Sequence, residues 1–170
     1  MANVARKYLG HWIDDTFGVG NTRNYFRIGK DLEEYNEELN PDIETSKNIL
    51  GQTSIKHNGY EVSGSVEPYY YATGETLATA LEEIANNRKT GEECETTIID
   101  VIFGEPAQST ATTMSITKAY IETVTVVPQS IGGDTSGIQI PFELHYHGDR
   151  KDVTSHVTID ADDGELHYTP

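Results

Sequence analysis

The sequence predicts a mainly β protein: an antiparallel β-sandwich or partial barrel with one flanking α-helix. Three observations carry this. Apolar and polar residues alternate over several segments, the period of a half-buried strand. One segment alone, with Leu77, Leu81, Ile84 and Ala85, repeats at helical spacing. Hydrophobic residues make up only 36% of the 170 residues, which suits a layered sheet with a wet face.

Residues 1–22 hold Trp12 and Phe17 among polar and glycine positions, and read as an N-terminal arm. From Arg23 to Leu32 the chain alternates, with Phe26, Ile28 and Leu32 facing one way and Tyr25 and Arg27 the other. Residues 31–52 read as a long acidic loop. Asp31, Glu33, Glu34, Glu37, Glu38, Asp42 and Glu44 face a single base, Lys47, and Pro41 interrupts any period. A connection of this length is functional or mobile. Tyr60 to Glu67 is a strand with Tyr60, Val62 and Val66 on one face, ended by Pro68.

The helix is expected over about 75–87, with Thr73 as N-cap and Glu75 in its first turn. Asn86, Asn87 and Gly91 stop it. Strands follow. Thr96–Phe103 places Ile99, Val101 and Phe103 opposite Ile98, Asp100 and Ile102. The alternation of Met114–Val127 slips, which predicts a bulge. After a loop at 131–134, the apolar set Ile138, Ile140, Phe142, Leu144 and Tyr146 alternates with polar partners in what reads as one strand. Val153 to Ile159 is another, and Asp160–Gly164 turns it back into Glu165–Tyr168 as a hairpin. All of this reads as a single domain over 1–170.

Charge narrows the function. The formal net charge is -16, from 28 acids against 12 bases. Such a field repels nucleic acid and anionic membranes. Cys94 is the only cysteine, so an intrachain disulfide is excluded and a reducing compartment fits. The basic N-terminal residues Arg6 and Lys7 precede no apolar core, so no signal peptide is expected.

Candidate chemistry is sparse. His145 and His147 share a strand face, and His156 and His167 lie on the next two strands, so a zinc set is conceivable. No carboxylate or cysteine spacing supports it, and the expectation is no metal and no cofactor. Asp160–Glu165 resembles the opening of a calcium loop, but its glycine stands one place early and the required later glutamate is missing. Gly18-Val19-Gly20 lacks the surrounding βαβ unit of a dinucleotide loop. His11 with Asp14 and Asp15 offers an acid/base pair in composition only. Glu93 and Glu95 beside Cys94 disfavour a thiolate. No catalytic residue is expected. Tyr69, Tyr70 and Tyr71 suit either a sugar-stacking platform or a subunit interface, and the interface is favoured.

The order strand, "EPYYYATGE", helix with Leu77, Leu81 and Ile84, "NRKTG", strand runs from Gly59 to Val101. It resembles the tail tube proteins (major tail proteins) of long-tailed bacteriophages, most strongly over that stretch. The resemblance implies a structural virion protein, not an enzyme. Its subunits would self-assemble into stacked hexameric rings around the tape measure protein, and the tube would later pass genomic DNA without binding it specifically. Tail terminator and baseplate or tip proteins would meet its ends, and a sheath its outside in contractile tails. Localisation would be the virion tail, after assembly in the host cytoplasm. Interface residues are then expected among Tyr69, Tyr70 and Tyr71 and, on the acidic loop, Ile43, Lys47, Ile49 and Leu50. Two other classes remain from the residues: a carbohydrate-binding β-sandwich, virion-associated or secreted, and a small metal-dependent β enzyme.

Overall fold

The computed structural model describes residues 1–170. The chain runs β1 (Leu9–Asp14), β2 (Tyr25–Ile28), β3 (Pro41–Lys47), β4 (Thr53–Tyr60), β5 (Ser63–Val66), α1 (Thr76–Asn86), β6 (Glu95–Gly104), β7 (Ser115–Pro128), β8 (Gly132–Asp134), β9 (Gly137–Gln139), β10 (Phe142–Asp152), β11 (Val157–Ile159) and β12 (Leu166–Tyr168). Six strands pair antiparallel in the order β2-β1-β6-β7-β10-β5 and curl into a half-barrel. The pairs β3–β4, β8–β9 and β11–β12 stand apart as hairpins. The flanking layers are not a second large sheet, so the sandwich alternative gives way to the partial barrel.

The central strand β6 explains the layering. Its two faces carry different apolar sets, as its alternation predicts. Ile98 joins Ile13, Val124, Val126, Phe142 and Leu144 in a core covered by α1. Ile99, Val101 and Phe103 join Trp12 and Ala119 in a second core, covered by Val153, Val157, Ile159 and Leu166 of the C-terminal segment. Each fully buried Leu, Ile or Phe contributes about 1.5–3 kcal/mol relative to exposure, so the middle of the sheet is fixed from both sides. β2 and β5 are its edges.

α1 forms close to its predicted span. Leu77, Ala78, Leu81 and Ile84 are buried along one stripe. The N-cap is Glu75 rather than Thr73, and no side chain caps the first turn. Arg88, at φ 52, reverses the chain after the helix, and the Lys89 N–H bonds back to the Ile84 carbonyl at 3.1 Å.

Four sequence expectations are corrected. The N-terminal arm 1–22 contains β1, a central strand paired to both β2 and β6. The acidic loop 31–52 is a shorter connection followed by a strand, β3, paired with β4. The strand Tyr60–Glu67 is split between the end of β4 and β5. The strand Ile138–Tyr146 is likewise two elements, because Pro141, which has no N–H, separates β9 from β10.

The bulge predicted for Met114–Val127 is present. The β6–β7 register shifts between Ile102 and Phe103. A larger shift lies between His147 and Lys151 of β10, opposite β7. There Gly148, at φ 86, lets the chain leave the ladder and turns Arg150 back toward the sheet.

Candidate interaction surface and its buried polar anchor

The most exposed built element is the β3–β4 hairpin. Every residue of β3 is exposed. The register places Ile43 opposite His57 and Thr45 opposite Ile55, while Glu44 lies opposite Lys56. Opposed residues share a face, so one side carries the two isoleucines, Ile43 and Ile55, among Thr45, Thr53 and His57, and the other carries Glu44 and Lys56. Ile43 is 56% and Ile55 70% exposed, so the apolar side has no cover within this chain. The tip is pre-organised: Asn48 Oδ1 accepts the N–H groups of Leu50 and Gln52, both at 3.0 Å, and Gly51 adopts φ 76. That turn presents Ile49 fully and Leu50 largely to solvent, with Lys47 exposed beside them. Four of the expected interface residues, Ile43, Lys47, Ile49 and Leu50, therefore gather on one projecting element.

The tyrosines do not join them. Tyr69 is buried in the α1-side core, edge-on to Phe142 with ring centroids 5.5 Å apart. Its carbonyl accepts from Ile140 N–H, and Tyr71 N–H donates to the Ile138 carbonyl, both at 2.9 Å. Tyr69–Tyr71 thus pair with β9 and its exit. Tyr70 and Tyr71 remain partly exposed. Tyr69 has no surface to offer, and burial pushes its hydroxyl well above the usual tyrosine range.

The root of the hairpin is held by a polar cluster absent from the sequence reading. Residues 29–40 cross the α1-side face of the sheet, where Leu32 and Tyr35 extend its apolar core. Tyr35 is buried there, and its hydroxyl meets that of Tyr146 at 2.7 Å. Gly64 makes room for this ring, since a Cβ there would collide with it. Two residues on, Glu37 packs against His11 of β1 and Asp100 of β6. His11 Nδ1 is 2.6 Å from Asp100 Oδ1 and 3.6 Å from Glu37 Oε1. Arg150 Nη1 lies 3.1 Å from both Asp100 Oδ2 and Glu122 Oε2, and 3.7 Å from Glu37 Oε2. Arg6 Nη2 sits 3.3 Å from His11 Nε2 and donates to the Tyr35 carbonyl at 2.9 Å.

The protonation states follow from this geometry. A guanidinium only donates, so His11 Nε2 accepts from Arg6 and the ring proton is on Nδ1, donated to Asp100. Burial, above all, lowers the His11 pKa to about 4, so the ring is neutral near pH 7. Burial, reinforced by Asp100, lifts the Glu37 carboxyl to about 8. Asp100 is also raised, again chiefly by burial. Arg150 is desolvated, but Asp100, Glu37 and Glu122 outweigh that and hold its charge. His11, Glu37 and Asp100 bring ligand-type atoms within 4.8 Å of one another. Arg150 already supplies the cation they face, and the His11 nitrogen nearest the carboxyls carries a proton. The cluster is electrostatically complete as it stands.

The remaining candidates are accounted for separately. Asp14 accepts from Thr16 and from Arg23 at 2.7 Å, and Asp15 from Asn24 at 2.8 Å, so neither serves His11. His145 lies 3.3 Å from Glu143, His147 2.9 Å from Thr125 Oγ1, and His156 2.9 Å from the Thr169 carbonyl. With His167, they do not gather into one ligand set. Asp160 and Asp163 each accept a backbone N–H two residues ahead at 2.8 Å, closing the β11–β12 turn. Cys94 is buried, its thiol raised by burial and by Glu93.

A curled antiparallel half-barrel with one short helix is a fold that this chain shares with chains in structures of contractile injection machines. Three solved structures align over most of their length. One is from the sheath/tube terminator of an extracellular contractile injection system, PVC, in the extended state: 7% identity, TM-score 0.51, covering 89% of this chain and 97% of that one. Another is from the tube-terminating cap of the anti-feeding prophage: 9% identity, TM-score 0.50, covering 91% and 93%. A third is from the PVC sheath–tube complex in the extended state: 10% identity, TM-score 0.50, covering 89% and 93%. At such identities the likeness is one of fold. No protein-family model matches the sequence, and no curated protein matches it.

Proposed function

We propose that this chain is a structural subunit of a phage-tail-like tube, closing into hexameric rings that stack through the β3–β4 hairpin. The observation that carries this is the hairpin: an ordered, projecting element whose apolar side has no partner in its own chain. Ring closure by pairing β2 with the part of the β5 edge beyond the Glu38–Ser63 bridge, across subunits, would cover the open sheet edges. The shared fold with tube, terminator and cap components supports the same class. In this reading the tape measure protein fills the lumen during assembly, terminator and baseplate or tip proteins meet the ends, and a sheath covers contractile forms. DNA then slides through a conduit whose subunits carry net charge -16 each, since an anionic subunit does not trap phosphates by counterion release. The chain resides in the tail and has no catalytic residue.

A second reading is favoured by a specific observation: two of the similar structures described above are of a sheath/tube terminator and a tube-terminating cap, and their aligned chains are covered over 97% and 93% of their lengths. A terminator forms one ring and ends the tube. Negative-stain microscopy of the purified protein at high concentration separates the cases. Stacked rings and tubes support the tube subunit. Single rings that do not stack, and that shorten tubes of a cognate tube protein, support the terminator. A protein that stays monomeric alone and with cognate tail proteins sinks both. The carbohydrate alternative loses Tyr69 to the core, and the metal-enzyme alternative loses its gathered histidines.

A further inference from the structure

We propose that Glu37, Asp100, His11 and Arg150 form a proton-controlled latch, in which one proton held between the two carboxyls fastens the root of the β3–β4 hairpin to the sheet and its loss releases that root. The inference concerns the isolated chain and does not depend on what the hairpin docks against.

The geometry carries it. Glu37 sits four residues before β3, on the connection and not in the sheet. The groups around it are Tyr35 on its own connection, Arg6 from the N-terminal turn, His11 from β1, Asp100 from β6, Tyr120 and Glu122 from β7, Tyr146, His147 and Arg150 from β10, and Tyr60 at the end of β4. Lys118, at the mouth of the same cavity, is engaged by Asp152 at 3.1 Å. With Glu37 neutral, the guanidiniums of Arg6 and Arg150 balance the carboxylates of Asp100 and Glu122. Glu37 then donates its proton to Asp100, which also accepts from His11 and Arg150. Without that proton, three carboxylates face two guanidiniums, and the Glu37 and Asp100 charges meet in a poorly hydrated site.

The cluster has one inexpensive way to relax. Asp100 is fixed in the central strand, with a side chain 4% exposed. Glu37 is 18% exposed and lies on a loop. It is therefore Glu37 that turns out to water, and the segment attached to it loosens. What then still ties the root is a small set of bonds: Glu38 and Ser63 exchange backbone bonds at 2.7 and 3.0 Å, and Asn40 Nδ2 donates to the Glu61 carbonyl at 2.9 Å. Asn40 itself adopts φ 44, a left-handed conformation that asparagine takes more readily than most residues.

The magnitude follows from linkage. A carboxyl near pH 8 when latched and 4.5 when released makes release about 30-fold more favourable at pH 9 than at pH 6.5. The test is amide hydrogen exchange on the full chain at those two pH values, corrected for intrinsic exchange. The Glu38, Glu61 and Ser63 amides should lose roughly 30-fold in protection relative to the β6–β7 ladder. Glu37→Gln keeps a donor toward Asp100 but has no proton to lose, so its root protection should not change with pH. If Glu37→Gln fails to fold, the wild-type carboxyl is followed by carbon-13 NMR: a midpoint near 8 supports the latch, and one near 4.5 overturns it. Root amides that track the core across this range overturn it, as does an unaltered pH response in Glu37→Gln. Ring formation is read in a separate assay, and its outcome does not touch this result.

Discussion

Gly10→Ala should expel or displace the only tryptophan of the chain. Gly10 and Trp12 are two apart on β1 and share a face. The indole leans back over Gly10, and a Cβ there would meet its Cζ3 and Cη2 atoms closer than any real contact allows. The ring has little room to shift. It is 1% exposed, Phe103 lies edge-on with centroids 5.9 Å apart, and the Arg27 guanidinium covers it at 4.9 Å. Overpacking of a filled core costs about 1–3 kcal/mol, and full loss of a buried aromatic about 3–5 kcal/mol. The alanine returns about 0.4–1 kcal/mol by restricting the unfolded chain. The expected net loss is about 0–3 kcal/mol if the indole only shifts and about 2–5 kcal/mol if it is expelled, the latter a large share of a typical domain's stability. Guanidinium titration followed by emission under selective tryptophan excitation measures it, because Trp12 is the only tryptophan. The emission maximum should shift to the red in native buffer. Gly104→Ala is the control, since nothing lies within 4 Å of its added methyl, and it should change stability by less than about half a kcal/mol. A Gly10→Ala protein as stable as the control, with unmoved emission, would refute the recess as the reason for this glycine.

Leu81→Ala should lose about 2–5 kcal/mol in denaturant titration, because Leu81 is fully buried between α1 and the sheet; a loss below about half a kcal/mol would mean the helix contributes little to the isolated fold. Stability should depend on pH on both sides of a plateau. His11, lowered from 6.5 to about 4, contributes stability that is complete above 6.5 and is lost as pH falls toward 4. Glu37, raised from 4.5 to about 8, contributes stability that is complete below 4.5 and is lost as pH rises toward 8. The two offset one another from 4.5 to 6.5, and a net loss of about 2 kcal/mol is expected between 6.5 and 8; unfolding midpoints that rise over that interval would contradict the assignment. Replacing Glu44–Lys56 by a short Gly/Ser linker should leave unfolding within about 1 kcal/mol of wild type, since these residues are exposed, while ring stacking in negative stain should fail; normal tubes would remove the hairpin from the stacking role.

The parts of the fold legible in the sequence are those where one physical signal acts locally. The apolar stripe of α1 and the two faces of β6 are patterns within a dozen residues, and they survive intact. β1 was illegible for the opposite reason. Gly10 to Asp14 are all buried, and a strand covered on both faces has no alternation to display. The β3–β4 hairpin escaped because each strand carries only one large apolar residue between its ends on the shared face, Ile43 and Ile55, too few to establish a period among so many acids. Asn48 and Gly51 were the available turn signal. The polar anchor depends on separation in sequence: His11 and Asp100 are 89 residues apart, brought together by the β1–β6 register. Arg150 reaches them only through the bulge after His147. Glu37 was in view as one acid among seven, and nothing local distinguishes it from Glu38.

Cys94 has a practical consequence. Its sulfur is buried, donates to the Lys89 carbonyl at 3.3 Å, and is held above the usual thiol range by burial, so alkylating reagents at neutral pH have little thiolate to attack. The native thiol should thus react far more slowly with maleimide than an exposed cysteine, without being removed. Ile49→Cys at the hairpin tip, where the native side chain is fully solvent-exposed, creates one reactive thiol. A single fluorophore or spin label can then be placed at the end of the hairpin, and its distance to the same label on a neighbouring copy becomes a ruler for any assembly the protein makes.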